Sequence, residues 1–188
     1  MAEYIPAFTS VTVIYDPHVT TFDLFTARVQ TLLDQWPPES AAVEDRRVDI
    51  PVCYGGDFGP DLDAVSAHTG LSSQEVVAIH SEPEYLVYMI GFAPGFPYLG
   101  GMSERLASPR RETPREKIPA GSVGIAGSQT GVYPIETPGG WQLIGRTPLS
   151  LFRPEKDAPS LLRAGDRVRF HAIEQDEYQD LLERDSGT

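Results

Sequence analysis

The sequence between residues 118 and 135 reads Ile118-Pro-Ala-Gly-Ser-Val-Gly-Ile-Ala-Gly-Ser-Gln-Thr-Gly-Val-Tyr-Pro-Ile135. Glycine or proline interrupts this stretch every few residues, and the apolar runs that remain are too short to form helices. Similar short runs follow at residues 141–144, 149–152 and 168–173. Short strands separated by Gly/Pro turns are typical of a compact β-barrel or sandwich, so we predict one in the second half of the chain.

The N-terminal segment has a different pattern, which predicts a small layer of strand, helix and strand over residues 1–54. Residues 11–15 alternate between apolar and polar or smaller side chains, as in a half-buried strand. Apolar residues then recur at helical spacing over residues 22–36, with Thr21 as the N-cap, and a Pro-Pro pair stops the helix. Residues 48–54 alternate again and predict a second strand.

Two short helices and a buried strand are predicted between these regions. The first helix ends at Gly70, and Ser72 with Glu75 forms the capping box of the second, which carries His80 near its end. Residues 85–90 are nearly all apolar, as in a strand that is covered on both faces.

Composition and charge exclude several classes of function. The chain has 188 residues, of which 40% are hydrophobic, and a net charge of −12, so its mean field repels nucleic acid and anionic membranes. Cys53 is the single cysteine, and no Cys/His spacing typical of a zinc site occurs in the sequence. No signal peptide and no apolar run of about 20 residues is present, so we predict a cytoplasmic protein with no membrane contact.

The charges are distributed unevenly along the chain. Residues 1–104 carry 3 basic and 15 acidic side chains, whereas residues 105–188 carry 12 of each. Between residues 105 and 153 the basic side chains exceed the acidic ones by four. This local excess favours either a pocket for a small anion or a solvated arginine-rich loop.

Residues 91–101 form an aromatic loop between glycines, which is a candidate wall of a binding pocket. Phe96 and Tyr98 lie next to prolines that stiffen the loop, and ordered aromatic rings offer contact area at little entropic cost. Phe92 is predicted with equal weight to face the pocket or to fold back onto the core.

Further candidate side chains could bind or move a proton. Arg110 and Arg115 each follow a proline that fixes the backbone, and arginine recognises carboxylates and phosphates through two parallel hydrogen bonds. His80 is either a general base or, as is common for a lone histidine at a helix end, a capping or core group. The stretch richest in glycine and proline adds four more candidates: Gln129, Tyr133, Trp141 and Arg146.

Two motif interpretations fail on their context. Residues 121–127 are glycine-rich, but no Gly-Lys-Ser/Thr and no helix pattern follows, so a nucleotide-binding loop is rejected. Ser122 lies in a sequence close to a nucleophile elbow, yet the required strand-to-helix turn is missing and only His171 could complete a triad in chain order. Ser122 is therefore predicted to be a turn residue.

Taken in order, three long motifs resemble the family of the 5-oxoprolinase B subunit, which is also described as the KipI family and as allophanate hydrolase subunit 1. The resemblance covers about residues 4–173, and a shorter matching run at residues 54–62 precedes the three motifs. The three motifs are Gly91-Phe-Ala-Pro-Gly-Phe-Pro-Tyr-Leu-Gly100, Pro119-Ala-Gly-Ser-Val-Gly-Ile-Ala-Gly-Ser-Gln-Thr-Gly-Val-Tyr-Pro134 and Pro138-Gly-Gly-Trp-Gln-Leu-Ile-Gly-Arg-Thr147.

The resemblance implies an α+β, mostly β fold. It implies a cyclophilin-like β-barrel over residues 55–175, preceded at residues 1–54 by a ferredoxin-like βαββαβ domain that is only partial here. Family members usually start with a further strand and helix, so either the start is truncated or this layer is reduced and a partner covers its edge. Residues 176–188 complete the chain as a C-terminal helix and tail, and the spacing of Tyr178, Leu181 and Leu182 by itself predicts a helix over residues 174–183.

Three functions are implied by the resemblance. The first is one subunit of an ATP-dependent enzyme that opens 5-oxo-L-proline to L-glutamate. It would act in a hetero-oligomer with a second barrel-type protein, the 5-oxoprolinase C subunit or allophanate hydrolase subunit 2, and with the lactam-binding A subunit. The second is an inhibitor of a sensor histidine kinase. The third is half of a carboxyltransferase in urea or allophanate metabolism.

We favour the first function, because an arginine excess and an aromatic loop suit a small anionic substrate. Under this hypothesis Arg110, Arg115 and Arg146 stabilise developing charge, and His80 or Tyr133 moves a proton. Gln129 holds a polar edge of the substrate. ATP is the expected cofactor of the complex, and the sequence contains no readable metal site.

Overall fold

The structure is a computed structural model that describes residues 3–35 and 46–186, and it divides into two compact units at residues 45 and 46. In the first unit, β1 (Glu3–Pro6) and β2 (Val11–Ile14) form an antiparallel hairpin, and α1 covers Phe22–Asp34. Thr21 caps α1 as predicted, since its side chain accepts a hydrogen bond from the Leu24 N–H. The predicted Pro-Pro stop lies outside the described residues.

The second unit is built on a closed barrel of seven strands. In chain order these are β3 (Arg47–Tyr54), β4 (Glu84–Ile90), β5 (Pro97–Gly100), β7 (Ser122–Ala126), β8 (Gln129–Val132), β10 (Gln142–Arg146) and β11 (Arg167–Ala172). Around the barrel the order is β10-β3-β11-β4-β5-β8-β7, and β7 pairs with β10 to close it. A separate two-stranded ladder joins β6 (Arg115–Ile118) to β9 (Thr137–Gly139). The predicted mostly β barrel is confirmed.

Strand β3 corrects the predicted domain boundary at residue 54. It pairs in parallel with β11 and antiparallel with β10, so it belongs to the barrel and not to the N-terminal layer. Ile50 and Val52 are fully buried inside the barrel, which explains the apolar alternation that predicted the strand. The alternation marks one covered face, but it does not indicate which sheet covers that face.

The interior of the barrel is a packed core. Branched side chains from all seven strands meet in one buried cluster, which includes Ile50, Val87, Leu99, Val123, Val132, Ile144 and Val168. The apolar run at residues 149–152 also contributes to this cluster, although we predicted it as a strand. It forms only one isolated bridge, between Phe152 and Ser160, and it is apolar because Leu151 packs on the core.

Three further helices cover the barrel, and the local signals placed them correctly. They are α2 (Leu62–Thr69), α3 (Ser73–Ser81) and α4 (Gln175–Ser186). Gly70 ends α2 with a φ of 72°, the left-handed conformation that favours glycine. Both hydrogen bonds of the predicted capping box are present at the start of α3. None of the helices among the described residues has the length and apolar character needed to cross a membrane.

Candidate functional site

A small cavity lies where the loop before β5 meets the ends of β8 and β9. Its volume is about 140 Å³. Cavities of about 150 Å³ in other proteins bind a molecule of the size of benzene, so this one suits a single small ring. Its lining consists of Phe92, Phe96, Tyr98, Arg110, Gln129, Tyr133, Gly139, Gly140 and Trp141.

Phe96 organises the aromatic wall of this cavity. Its ring meets Phe92, Tyr98, Tyr133 and Trp141 edge-to-face, with centroids 5.5 to 5.8 Å apart. Edge-to-face contacts are the preferred geometry of aromatic pairs, because the positive edge of one ring meets the negative face of the other. Since Phe96 is buried and is held by four neighbours, the wall is fixed before any ligand binds.

Glycines provide the space that this wall needs. A Cβ at Gly131 in β8 would lie 3.0 Å from the Phe96 ring and 3.3 Å from that of Trp141. A Cβ at Gly139 in β9 would lie 2.6 Å from the Tyr133 hydroxyl, a distance that real structures do not tolerate. Larger residues at these two positions would push the rings into the cavity.

Besides Tyr98, the lining includes the polar side chains of Arg110, Gln129 and Tyr133, of which Arg110 is charged. Arg110 is exposed, and no ion pair to it occurs within the described part of the chain. Burial raises the pKa of Tyr133 to about 12, although a hydrogen bond from the Trp141 backbone and the charge of Arg110 oppose the shift. Tyr133 is therefore protonated at neutral pH and can donate a hydrogen bond. Gln129 adds an amide, which can both donate and accept.

Six of the nine predicted site residues line this cavity. They are Phe96, Tyr98, Arg110, Gln129, Tyr133 and Trp141. The structure does not bring His80, Arg115 or Arg146 to it.

Arg115 is engaged in a buried ion pair. Its Nη1 and Nη2 donate to Asp61 Oδ2 and Oδ1, both at 2.8 Å, and Arg111 donates to Asp61 Oδ1 at 2.9 Å. The Leu143 N–H completes the set at 2.7 Å. The predicted two-donor recognition of a carboxylate does occur at Arg115, but the carboxylate belongs to the protein. The catalytic assignment of Arg115 is thus not supported by its position.

The Asp61 cluster anchors two parts of the cavity wall. Arg111 follows Arg110 directly, and its N–H donates to the Gly140 carbonyl at 2.8 Å. Leu143, the other backbone partner, lies two residues after Trp141. Burial alone raises the pKa of Asp61, but the hydrogen bonds from Arg115 and Leu143 and the two arginine charges outweigh it, so the pKa is lowered. Asp61 stays ionised and holds both segments together.

His80 is a core residue and not an accessible base. It is fully buried, its Nδ1 lies 2.8 Å from the Tyr54 hydroxyl, and its Nε2 lies 2.8 Å from Thr130 Oγ1. Thr130 donates its own hydrogen to the Gly124 carbonyl, so His80 Nε2 must carry the hydrogen and Nδ1 must accept from Tyr54. Burial lowers the pKa of His80 to about 3, so the ring is neutral at physiological pH.

Arg146 lies away from the cavity, beneath α4. It is directly opposite Cys53 and Ser122 on the neighbouring strands, and it hydrogen-bonds Tyr178 of α4. Its Nε is buried without a hydrogen-bond partner among the described residues. Arg146 therefore joins a helix to the barrel, and its predicted role in substrate binding has no geometric support.

The local excess of positive charge is largely neutralised within the protein. Besides the two arginines on Asp61, Lys117 pairs with Glu136 at 3.3 Å and Arg153 pairs with Asp185 of α4. Arg110 remains at the cavity. Of the two alternatives that the charge count left open, a cluster of arginines around an anion is not present at this cavity, whose lining contains one arginine, Arg110.

The residues of this chain do not fit ATP in the cavity or at the glycine-rich run. The cavity is smaller than the roughly 300 Å³ at which pockets for larger ligands begin. The Gly121 and Gly127 N–H groups already donate to the Tyr133 and Ser108 carbonyls, both at 2.7 Å, so they cannot hold phosphates. Among residues 3–35 and 46–186, no three His, Cys, Asp or Glu side chains lie close enough to hold a metal ion.

The chain belongs to the family described as carboxyltransferase domain, subdomain C and D, because the sequence pattern of that family matches residues 1–162. The sequence resemblance to the 5-oxoprolinase B subunit is confirmed. The protein of that name from Bacillus subtilis (strain 168) is 56% identical over 186 residues, which are 94% of this chain and 77% of that protein. The one from Escherichia coli O157:H7 is 54% identical over 173 residues, which are 90% of this chain and 77% of that protein.

A solved structure shows that the fold is shared. Protein PH0987 from Pyrococcus horikoshii is 48% identical to this chain, with a TM-score of 0.70 over 94% of this chain and 81% of the other.

Proposed function

We propose that this chain is the B subunit of an ATP-dependent 5-oxoprolinase, which hydrolyses 5-oxo-L-proline to L-glutamate. Its partners would be the barrel-type C subunit, which is related to it, and the lactam-binding A subunit. The observation that carries this proposal is the cavity, whose lining combines a fixed aromatic wall with one arginine that makes no ion pair within the described residues. A flat ring with a single carboxylate is the ligand that such a wall and such a cation recognise together. The two bacterial relatives with this name support the same assignment.

Each polar group of the cavity has a task in this hypothesis. Arg110 binds the substrate carboxylate through two parallel hydrogen bonds, and Gln129 pairs with the amide edge of the lactam. Water is the second substrate: it attacks the lactam carbonyl carbon, the C–N bond then breaks, and the ring nitrogen takes up a proton from that water. Before the C–N bond breaks, the attack ends amide resonance and places negative charge on the carbonyl oxygen. Tyr133 is protonated at neutral pH and donates a hydrogen bond to that oxygen, which stabilises the charge as it develops.

The aromatic wall contributes by excluding bulk water from the face of the substrate ring that packs on it. Phe96 and Trp141 are both less than a tenth exposed, so the ring of the substrate packs on a surface that is already dry. Electrostatic interactions are stronger where water is absent, which strengthens the hydrogen bond from the buried Tyr133 side chain. ATP supplies the driving force of the overall reaction, and we place its binding outside this cavity because of the cavity's small volume.

Carboxyl transfer is the second candidate, because the family takes its description from that reaction. A urea-like acceptor is also small, planar and polar, and would fit the same volume. It carries no carboxylate, however, so it leaves Arg110 without a charged partner. Inhibition of a histidine kinase needs an exposed binding surface and makes no use of a dry cavity.

Reconstitution tests the proposal. The purified chain is mixed with the A and C proteins of the complex, and L-glutamate is measured after 5-oxo-L-proline and ATP are added, with each protein omitted in turn. We expect glutamate only in the complete mixture and co-elution of this chain with the C protein in size exclusion. Carboxylation of urea from carboxybiotin without any glutamate release would favour the second candidate. Lower kinase autophosphorylation by this chain alone, without turnover, would contradict both enzymatic functions.

A further inference from the structure

The loop that carries Phe92 has an unusual backbone. The Ala93 N–H donates to the Gly91 carbonyl at 2.8 Å, which closes a three-residue γ-turn with Phe92 at its centre. Phe92 has a φ of 67°, and no other non-glycine residue in the described part of the chain has a positive φ. This form of γ-turn is rare and strained, and a bulky residue in it is a true outlier.

The next turn locks this conformation. The Phe96 N–H donates to the Ala93 carbonyl at 3.0 Å, so residues 93–96 form a β-turn. Pro94 and Gly95, with a φ of 80°, occupy the positions that define type II. The Gly91 N–H in turn donates to the Phe96 carbonyl, which closes the loop on itself. Phe92 cannot relax without breaking these hydrogen bonds.

The strained residue gains little from packing. Phe92 is 71% exposed, and its ring makes an edge-to-face contact with Phe96. A residue that served only the core would be buried, and a surface residue without function would not require strain. Strain of this kind persists at binding sites, where the rest of the loop enforces it. The Phe92 ring also lines the cavity, together with its polar side chains.

We propose that Phe92 is a specificity-determining residue whose ring is held at the mouth of the cavity to pack on the face of a small ring-shaped carboxylate. This inference takes its ligand class from the proposed function and deepens it. A flat lactam ring offers a face to Phe92 while its carboxylate reaches Arg110. L-Glutamate is an open chain with a second carboxylate and offers no such face. Phe92 therefore distinguishes the closed ring from the opened product.

Three variants separate this role from a structural one. Phe92→Gly removes the ring and the strain, because glycine adopts a positive φ freely. We expect its Tm to rise by about 2 °C and the KM for 5-oxo-L-proline in the reconstituted complex to rise about two- to tenfold. Phe92→Leu keeps the strain but loses the flat ring, so its KM should rise without a gain in Tm. Phe92→Tyr keeps the strained backbone and a flat aromatic ring, so its Tm and its KM should equal those of the wild type.

Direct binding keeps this test separate from that of the proposed function. Benzoate and acetate are titrated into the full chain by calorimetry, because both carry one carboxylate but only benzoate has a ring. We expect Phe92→Gly to weaken benzoate binding about two- to tenfold and to leave acetate unchanged. We expect the same benzoate result even if the reconstituted wild-type complex forms no glutamate. Absence of glutamate would contradict the proposed function but not the role of Phe92 in binding.

Several results would overturn the inference. These are equal benzoate affinities in the wild type and Phe92→Gly, no benzoate binding by the wild type, or a lower Tm in Phe92→Gly. Loss of co-elution with the C protein in Phe92→Gly would also overturn it, since the ring would then contact a partner and not a ligand.

Discussion

Arg115 donates two hydrogen bonds to the carboxylate of Asp61, one from each Nη atom and both at 2.8 Å, although the two residues are 54 positions apart in the sequence. The Asp61 side chain is 4% exposed, so the ion pair is nearly dry, and Arg111 adds a second cation to the same carboxylate. A buried carboxylate that loses donors carries the cost of its own burial. This geometry makes the cluster the anchor of the segments that carry Arg110 and Gly140.

The first prediction concerns this anchor. Arg115→Lys keeps the charge but loses one of the two parallel hydrogen bonds to Asp61, and the free energy of unfolding should fall by about 1–3 kcal/mol. Urea denaturation measures the change. Lys117→Gln is the matched control, because its pair with Glu136 is exposed on both sides and should contribute less than about 1 kcal/mol. Equal losses in the two variants would show that the Asp61 cluster is not an anchor.

The second prediction uses two neighbouring glycines that both line the cavity. Gly139→Ala places a methyl group 2.6 Å from the Tyr133 hydroxyl and 2.8 Å from Ile118, so the phenol must move. We expect a loss of about 1–3 kcal/mol in stability together with weaker ligand binding. At Gly140 the nearest atom to a new methyl group would be 3.6 Å away, in Pro114. Gly140→Ala should therefore stay within about 0.5 kcal/mol of the wild type.

Thermal unfolding measures the stability of both glycine variants, and calorimetric titration with benzoate measures their ligand binding. A Gly140→Ala variant as impaired as Gly139→Ala would contradict the packing around Tyr133.

The third prediction is a pH dependence of stability from His80. Its pKa is lowered from 6.5 to about 3 by burial, so below pH 6.5 the unfolded chain binds a proton that the folded chain does not. The stability contribution is complete above pH 6.5 and is lost as the pH falls toward 3, with a slope of about 1.4 kcal/mol per pH unit.

Urea denaturation between about pH 6.5 and 5 measures this slope, because the carboxylates of the unfolded chain titrate below that window. His80→Gln removes the titrating group but keeps a donor and an acceptor for Tyr54 and Thr130. We expect the free energy of unfolding of this variant to depend less steeply on pH. Identical slopes in the two proteins would be inconsistent with a neutral, buried His80.

Local signals in the sequence predicted the parts of the fold that depend on neighbouring residues. The capping box at Ser72 and the stop at Gly70 follow from backbone chemistry within a few positions, and both are confirmed. The parallel pairing of β3 with β11 joins Ile50 to Phe170, and nothing in either strand specifies its partner. Because local sequence does not specify a strand's partner, the alternation at residues 48–54 predicts a strand but assigns it wrongly to the N-terminal layer instead of the barrel.

The candidate site shows the same division. Aromatic residues on a glycine-bounded loop predicted the wall that Phe96 organises, because that pattern is local. Charge counting could not separate Arg110 from Arg115, since the difference between them is Asp61, which lies 54 positions from Arg115. The sequence does not decide whether Phe92 faces the pocket or the core, because its positive φ arises only in the folded loop.

The comparison of Arg110→Ala with Arg105→Ala tests the role of the cavity most directly. Both variants remove one exposed arginine from the same region, but only Arg110 lines the cavity. We expect Arg110→Ala to lower kcat/KM for 5-oxo-L-proline in the reconstituted complex by about ten- to a hundredfold, roughly the 1.5–3 kcal/mol of a charged hydrogen bond. Arg105→Ala should remain within about twofold of the wild type. Equal kcat/KM values in the two variants, both folded by circular dichroism, would contradict substrate binding in this cavity.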